Sequence, residues 1–362
     1  MWYYKNWKSF ILPLIGDRTA YSMDAEDDLQ IGIVFNQEDA TVRGDPKDLI
    51  AIGDTATTAD HLYKAIKQLG YKVTKIPARK SLENFRKELS KYSPLKTFIF
   101  NNCDGFNGIN TGSVDVTRTI EEMGFKHTGS TPEAISLCTD KVRCKQKLVD
   151  MGVPTPPYQV FLKAEGAVNL HYPVIVKPAL EDGSMGIDFN SVTKKPKALM
   201  DRVAYVLERY QQPALVEEFI AGRELNVAVW GNDETEALPV DEEDYSRVID
   251  PLKRFLTYEA KWYPDSYYYQ NILPLCPANL APLEALYVQT VAINAFKAIG
   301  LRDFGRIDMR YHNQVAYVVD VNDIPDLSPT SGFPRTARVG GFDYKQMVDH
   351  ILKVALKREG WK

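Results

Sequence analysis

Two short runs near the C-terminal end of the chain hold the residues best suited to chemistry. They are Phe304-Gly-Arg-Ile-Asp-Met-Arg-Tyr311 and Val315-Ala-Tyr-Val-Val-Asp-Val-Asn322, separated by His312, Asn313 and Gln314. Alternating apolar and polar side chains predict a β-hairpin. With an odd loop of three residues, Ile307, Met309 and Tyr311 face Val321, Val319 and Tyr317, and this apolar match sets the register. The opposite side then carries Asp308 against Asp320 and Arg306 against Asn322, because side chains alternate with a period of two. Facing carboxylates repel unless a cation lies between them. A hard ion such as Mg2+ takes oxygen ligands and leaves room for water and phosphate oxygens, which suits Asp308, Asp320 and Asn322. The alternative is a solvated acidic face on an edge hairpin.

Two further segments have the composition of a phosphate and nucleoside site. Lys177 stands near the end of the apolar run Pro173-Val-Ile-Val-Lys-Pro178, and Gly183 and Gly186 follow in a loop that permits tight turns and close backbone approach to negative oxygens. A lysine that snorkels from a strand end and an ordinary glycine turn would look the same. Leu215-Val-Glu-Glu-Phe-Ile220 and Gly222-Arg-Glu224 add carboxylates beside a strand. Glu218 is suited to accept from an exocyclic amine and Glu224 from ribose hydroxyls; a charged, solvent-facing hinge is the competing explanation.

These residues need elements to position them. Residues 29–35, 71–76 and 97–100 read as strands, alternating with helices at 57–69 and 82–89, so the first part predicts an α/β lobe with an open parallel sheet. A helix over 132–151 leads to Gly152-Val-Pro-Thr-Pro-Pro157, a lobe boundary. Beyond it the pattern is rich in strands (174–176, 214–219, 225–230, then the hairpin), with a helix at 281–299 and an amphipathic helix at 344–356. The expected division is an extension over 1–28 and lobes over 29–129, 130–220 and 221–362.

The order and spacing of these segments resemble the D-alanine–D-alanine ligase family of the ATP-grasp superfamily, over residues 29 to 358. The pieces that carry the resemblance are Thr128-Gly-Ser130, Asp140-Lys141, Val174-Ile-Val-Lys-Pro178 with Gly183-Ser-Met-Gly186, Val216-Glu-Glu-Phe-Ile220 with Gly222-Arg-Glu224, Tyr258-Glu-Ala-Lys261, Gly305-Arg-Ile-Asp308, and Asp320-Val-Asn322 with Ser328-Pro-Thr-Ser331. The resemblance implies an ATP-grasp fold behind a Rossmann-like first lobe, with ATP between the second and third lobes. It implies that Lys141 and Lys177 hold ATP phosphates under the loop of Gly183, Ser184 and Gly186. Adenine would meet Glu217, Glu218, Phe219 and Ile220, and ribose Glu224. Asp308, Asp320 and Asn322 would hold Mg2+, which Mn2+ can replace. Arg306, Lys261 and Ser184 would be catalytic. The activity implied is ATP-dependent joining of one amino acid's carboxylate to another's amine through an acyl phosphate, in cytoplasmic peptidoglycan synthesis, by a homodimer. The alternatives are an ATP-grasp ligase for a different, specialised substrate or a small-molecule kinase.

Departures from the family pattern fall on the substrates. Asn36-Gln-Glu-Asp-Ala-Thr-Val-Arg43 and a longer loop replace the glycine-rich turn that carries a serine and a glutamate. Trp262 replaces a tyrosine, Asp326 a glycine, and Asp320 a glutamate. Asp326 either pairs with a cationic group on the second substrate or is a loop aspartate whose backbone N–H serves the oxyanion while its side chain faces water. Trp262 either fills the pocket or packs the loop. Ser331 either receives the second substrate's carboxylate or ends a proline-rich turn.

Composition narrows the partners. The chain has 362 residues, enough for several lobes, a net charge of −4, and no lysine or arginine block of the kind that tracks nucleic acid. Its four cysteines, at 103, 138, 144 and 276, lack zinc spacing and fit a reducing compartment. The apolar run of residues 10–15 is short and broken by Pro13, and no stretch is long enough for a membrane span.

Overall fold

A computed structural model describes residues 29–38, 41–52 and 55–361; the extension expected over 1–28 lies outside them. The first part alternates strand and helix: β1 (Gln30–Asn36), α1 (Leu49–Ile52), α2 (Thr55–Gln68), β2 (Lys72–Ala78), α3 (Leu82–Leu89), β3 (Thr97–Asn102), α4 (Ser113–Glu122) and β4 (Lys126–His127). The four strands are parallel in the order β2-β1-β3-β4. Ile31, Ile33, Phe98 and Phe100 pack on the side of α2, and Val34 and Ile99 on that of α3 and α4. Burial of both faces is why these strands read as continuous apolar runs.

The helix expected over 132–151 is two helices, α5 (Pro132–Cys138) and α6 (Lys141–Asp150). Asp140 is extended, and its carboxylate accepts from the Val142 and Arg143 amides, both at 3.1 Å. This cap starts a new helix in place of continuing the old one. The break turns the Lys141 amide to the Ala179 carbonyl, 3.0 Å away.

A second, antiparallel sheet follows: β5 (Tyr158–Phe161), β6 (Val174–Pro178), β7 (Val192–Thr193) and, after α7 (Pro196–Arg209), β8 (Ala214–Glu218). Its order is β5-β8-β6-β7, and α7 covers one face through Leu199, Val203 and Val206. The third sheet begins with β9 (Arg223–Gly231), β10 (Thr235–Ala237) and β11 (Asp241–Asp244). The chain then passes α8 (Tyr258–Trp262), α9 (Tyr267–Asn271), β12 (Leu273–Leu275) and α10 (Pro282–Ile299) to β13 (Asp303–His312), β14 (Val315–Asn322), α11 (Gly332–Val339) and α12 (Tyr344–Arg358). Its order is β12-β11-β9-β13-β14, with β10 on β9. Helices α5, α6 and α10 bury Val227, Ile307, Met309 and Val321 of this sheet. The apolar stripe of α12, including Met347, Ile351 and Leu352, packs with α2, so the last helix shares a core with the first lobe.

The hairpin forms with one correction to its register. Arg306 pairs with Asn322 and Asp308 with Asp320, as the alternation requires, but Met309 pairs with Val318 and Tyr311 with Ala316. The loop is two residues, Asn313 and Gln314, with φ of 47° and 64°. Such a left-handed pair matches strand twist better than a three-residue link. The odd residue moves into the ladder instead, as a bulge at Val319.

Candidate active site

The alternation of β13 puts Arg306, Asp308 and Arg310 on one face, and the first two meet two residues apart along the strand. Arg306 Nε and Nη2 donate to Asp308 Oδ1 and Oδ2 at 2.7 and 2.8 Å, a bidentate pair. The Asn322 amide donates to Asp308 Oδ2 at 3.1 Å, which leaves its oxygen for another partner. Opposite, Asp320 holds the Lys141 ammonium at 2.8 and 2.9 Å, and that ammonium also meets Asp182 at 2.8 Å. Burial works against the charge on Lys141, but Asp182 and Asp320 outweigh it and hold its pKa above the ordinary lysine value. The same ammonium keeps Asp320 below the usual carboxylate range despite burial. Each of the facing carboxylates is thus neutralised by a cation of the chain.

The second sheet supplies another cationic centre. Glu217 is buried and lies between Lys145, at 2.5 Å, and Lys177, at 2.6 Å. Burial alone would raise the Glu217 pKa, but the two ammoniums hold it below its ordinary value. Glu218, next along β8, points the other way and accepts from the His171 amide and Nδ1 at 2.9 and 2.8 Å. Beyond it, Phe219 packs on Phe255, and Arg310 hydrogen-bonds the Ile220 carbonyl at 3.0 Å. Glu224 Oε2 accepts from Tyr245 and from Arg310 Nη1, both at 2.8 Å.

The glycine loop is held in a fixed shape. Gly183, Ser184 and Gly186 have φ of 61°, 61° and 71°, the left-handed region that costs a non-glycine residue on the order of 1 kcal/mol. A Cβ on Gly186 would come within 2.6 Å of Pro178 and 3.0 Å of the Tyr210 ring. Ser184 Oγ donates to the Leu256 carbonyl at 3.1 Å, and Trp262 Nε1 to the Gly183 carbonyl at 2.9 Å. The indole packs on the glycine loop and also lines the cavity between the lobes. Lys261 lies beside it with Nζ 5.1 Å from the Trp262 ring. Burial and the nearby Arg306 guanidinium lower the Lys261 pKa.

A cavity of about 100 Å³ between the lobes gathers Arg306, Lys261, Trp262, Asp182, Asn322 and Asp326. Thr55 and Asn102 of the first sheet's lobe close its far side. Asp326 accepts from the Ser328 amide and hydroxyl at 2.7 and 2.9 Å, so its half-buried carboxylate holds its own loop, which neither expectation for this side chain included. Ser331 lies outside the cavity lining, with its hydroxyl on the Asp326 and Ser328 carbonyls at 2.6 and 2.9 Å. Among the described residues no three His, Cys, Asp or Glu side chains converge as a metal cluster, and the third oxygen donor of the proposed set is the Asn322 amide.

Sequence reasoning missed Lys145, Asp182, Arg310 and Asp323. Lys145 was findable, since it lies four residues after Lys141 on one helical face. Arg310 was findable too, two residues after Asp308 on the same strand face. Asp182 and Asp323 reach the site through loops, for which no periodicity exists. Asp323 is buried in the cavity wall, and burial pushes it up to about 7.

An antiparallel sheet with a glycine loop, facing a larger sheet that carries paired carboxylates, defines an ATP-grasp protein. The chain belongs to the D-alanine–D-alanine ligase family: residues 148–353 match the model of the D-ala D-ala ligase C-terminus. The family's members are ATP-dependent ligases, which sets the kinase alternative aside. The chain is 32% identical to a D-alanine–D-alanine ligase of Carboxydothermus hydrogenoformans over 83% of its length and 93% of that protein. It is also 32% identical to an uncharacterised protein of Sinorhizobium fredii, y4sG, over 83% of its length and 88% of the relative. The fold matches the crystal structure of a Bacillus anthracis D-alanine–D-alanine ligase complexed with ATP, with a TM-score of 0.70, 17% identity and coverage of 92% and 99% of the two chains.

Proposed function

We propose that this enzyme uses ATP to join the carboxylate of one amino acid to the amine of a second, forming a peptide bond through an acyl phosphate. The observation that carries the reading is the β13–β14 ladder, on which Asp308 with Arg306 faces Asp320 with Lys141, while Arg306, Asn322 and Lys261 line one cavity. ATP lies between the second and third sheets. Lys141 and Lys177 take its phosphates, with the loop of Gly183, Ser184 and Gly186 above them. Glu217, Glu218, Phe219 and Ile220 form the adenine side and Glu224 the ribose side. The lobes over 29–129, 130–220 and 221–362 close around this site.

The donor set fits Mg2+, because Asp308, Asp320 and Asn322 offer oxygen atoms on one face, and the cations now on the two carboxylates show that the face attracts positive charge. Mg2+ bound there would offset charge on the transferring phosphoryl group. Arg306 lies beside the reacting carboxylate and stabilises the oxyanion formed when the amine attacks. Lys261, its pKa lowered by burial and by Arg306, reaches the transferred group, and the indole of Trp262 seals the loop against water, which would otherwise hydrolyse the acyl phosphate. The Asp326 backbone receives the second substrate, and Ser331 does so once its hydroxyl leaves the carbonyls of its own loop. The enzyme works in the cytoplasm as a homodimer, with no nucleic-acid or membrane partner; no helix among the described residues is long and apolar enough to cross a membrane.

D-Alanine is the reference substrate at both subsites, as the names of the relatives suggest. A different amino acid at the first subsite is a second reading, favoured by the connection between β1 and α2. This strap docks Arg43 on Glu181 at 2.7 Å and Asp48 on Tyr210 at 3.0 Å, and it brings Ala51 and Ile52 to the cavity wall. Hydroxylamine trapping tests the acyl phosphate: the enzyme with ATP and one amino acid should yield its hydroxamate. Asp308→Asn should abolish the product while nucleotide binding persists, and a variant that still turns over would contradict the assignment.

A further inference from the structure

Glu181 is 7% exposed and stands directly before Asp182 and Gly183, which line the cavity between the lobes. Its carboxylate is filled from three elements. Oε1 accepts from Arg43 Nε of the strap at 2.7 Å and from Gln212 Nε2 at 2.6 Å, and Oε2 accepts from Asn110 Nδ2 at 3.3 Å. Gln212, between α7 and β8, also accepts from the Leu180 amide, so it holds the backbone on the near side of Glu181. Asn110, in the first lobe before α4, is buried and itself lines the cavity.

Two walls of the cavity therefore meet at this carboxylate. Ala51, Ile52, Asn102 and Asn110 belong to the first-lobe wall, and Asp182 and Gly183 to the wall made by the glycine loop. A Cβ on Gly183 would lie 3.3 Å from that of Ala51, so little space is left between the walls there. The other polar contacts of the strap, from Asp45, Lys47 and Asp48, go to tyrosines and to Arg209 outside the cavity lining. A buried carboxylate needs all of its donors, because each one lost leaves charge without a partner. Here the donors come from both lobes, so the carboxylate is fully satisfied with the lobes docked and the glycine loop held against them.

We infer that Glu181 is a positioning residue, pinning the glycine loop to the first lobe so that the amine and not water meets the acyl phosphate. The inference rests on the proposed ligase reaction. In that reaction the amine displaces phosphate and forms the amide, whereas water displaces phosphate and returns the free carboxylate. Glu181 acts through Arg43, Asn110 and the backbone of Asp182 and Gly183, and what it controls is the share of acyl phosphate lost to water.

Phosphate and dipeptide are measured together for the wild type, for Glu181→Gln, and for Arg43→Met combined with Asn110→Leu, with thermal unfolding of each. The probe is D-alanine, or the amino-acid pair that the wild type joins best. The wild type is expected to release about one phosphate per dipeptide and Glu181→Gln at least about two, since water then competes for the intermediate. The excess phosphate should need the amino acid and shrink as its concentration is raised, because amine and water compete for one acyl phosphate. A merely structural role lowers phosphate and dipeptide in proportion, so an unchanged ratio in folded Glu181→Gln would overturn the inference. Excess phosphate that persists without amino acid would overturn it too, since the water would then be attacking the nucleotide. If Glu181→Gln does not fold, the Arg43→Met and Asn110→Leu combination opens the same junction from the first lobe and is read in the same way. A wild type that forms no dipeptide would instead sink the proposed function, and the inference with it.

Discussion

Asp308 and Asp320 face each other across the ladder because Arg306 pairs with the one and Lys141 with the other. The cost of opening this arrangement falls on whatever displaces those cations. Lys141→Ala is therefore expected to bind Mn2+ more tightly than the wild type in the absence of nucleotide, by about tenfold, while losing ligase activity. Titration followed by electron paramagnetic resonance reads this directly, and unchanged Mn2+ affinity would show that the ammonium does not compete for the site. Glu243 gives a pH signature. It faces Glu224 across β11 and β9 and lies 3.7 Å from Arg335. Burial, with Asp241 and Glu224 beside it, pushes its pKa up to about 7, against the pull of Arg335 and Arg306. A carboxylate raised from 4.5 favours the folded state when protonated, so its contribution is complete below pH 4.5 and is lost as pH rises to 7. Denaturant unfolding of the ligand-free protein should lose on the order of 3 kcal/mol from this group across that range, and Glu243→Gln should remove that slope. An identical slope in the variant would place the titration elsewhere. At this scale alternation made Arg306, Asp308, Asp320 and Asn322 legible in the sequence. The partners of Lys141 and Glu217 were not, since both contacts cross between elements.

Among the elements, the hairpin and the glycine loop both hold left-handed backbone. Asn313 tolerates the left-handed region, but Gln314 occupies it at φ 64° with no such aptitude. Gln314→Gly should stabilise the protein by about 0.5–1 kcal/mol in chemical denaturation without changing activity, and a destabilised variant would mean that the side chain has an energetic role at the tip. Gly186→Ala should act in the opposite sense. Its φ of 71° and the 2.6 Å approach to Pro178 force the loop to shift. An expected loss of about 2 kcal/mol in stability, with a raised KM for ATP, separates this from a substitution in an open turn. The hairpin shows why element boundaries are harder to read than element types. Apolar matching gave the pairs at residues 306–308, but nothing in the pattern distinguished a three-residue loop from a two-residue turn with a bulge at Val319. The break at Asp140 was similar: the helical period ran through it, and the cap overrode the period.

At the scale of the molecule, the first lobe joins the site through the strap before α2. Arg43, Asp45, Lys47 and Asp48 reach Glu181, Tyr205, Tyr258 and Tyr210. The apolar cluster of Ala51, Ile52, Met185, Tyr210 and Tyr258, with Trp262 packed on it, then ties the strap, the glycine loop and α8 together. The sequence marked this connection as a departure from the family but held no period from which to place it, because its contacts are single polar pairs and one short apolar step at Ala51 and Ile52. The sheets, their order along the chain and the ligase family were legible, since they follow from apolar alternation and motif order. The central claim is that one face of the third sheet drives amide-bond formation at the expense of ATP. Its most direct test is incubation of the purified protein with ATP, Mg2+ and single or paired D- and L-amino acids, with phosphate and product measured together by colorimetry and mass spectrometry. The account predicts a dipeptide formed in equal amount with phosphate and ADP, from two D-alanines or from another pair. A phosphorylated small molecule without any amide product, or ATP binding without turnover across the panel, would contradict it.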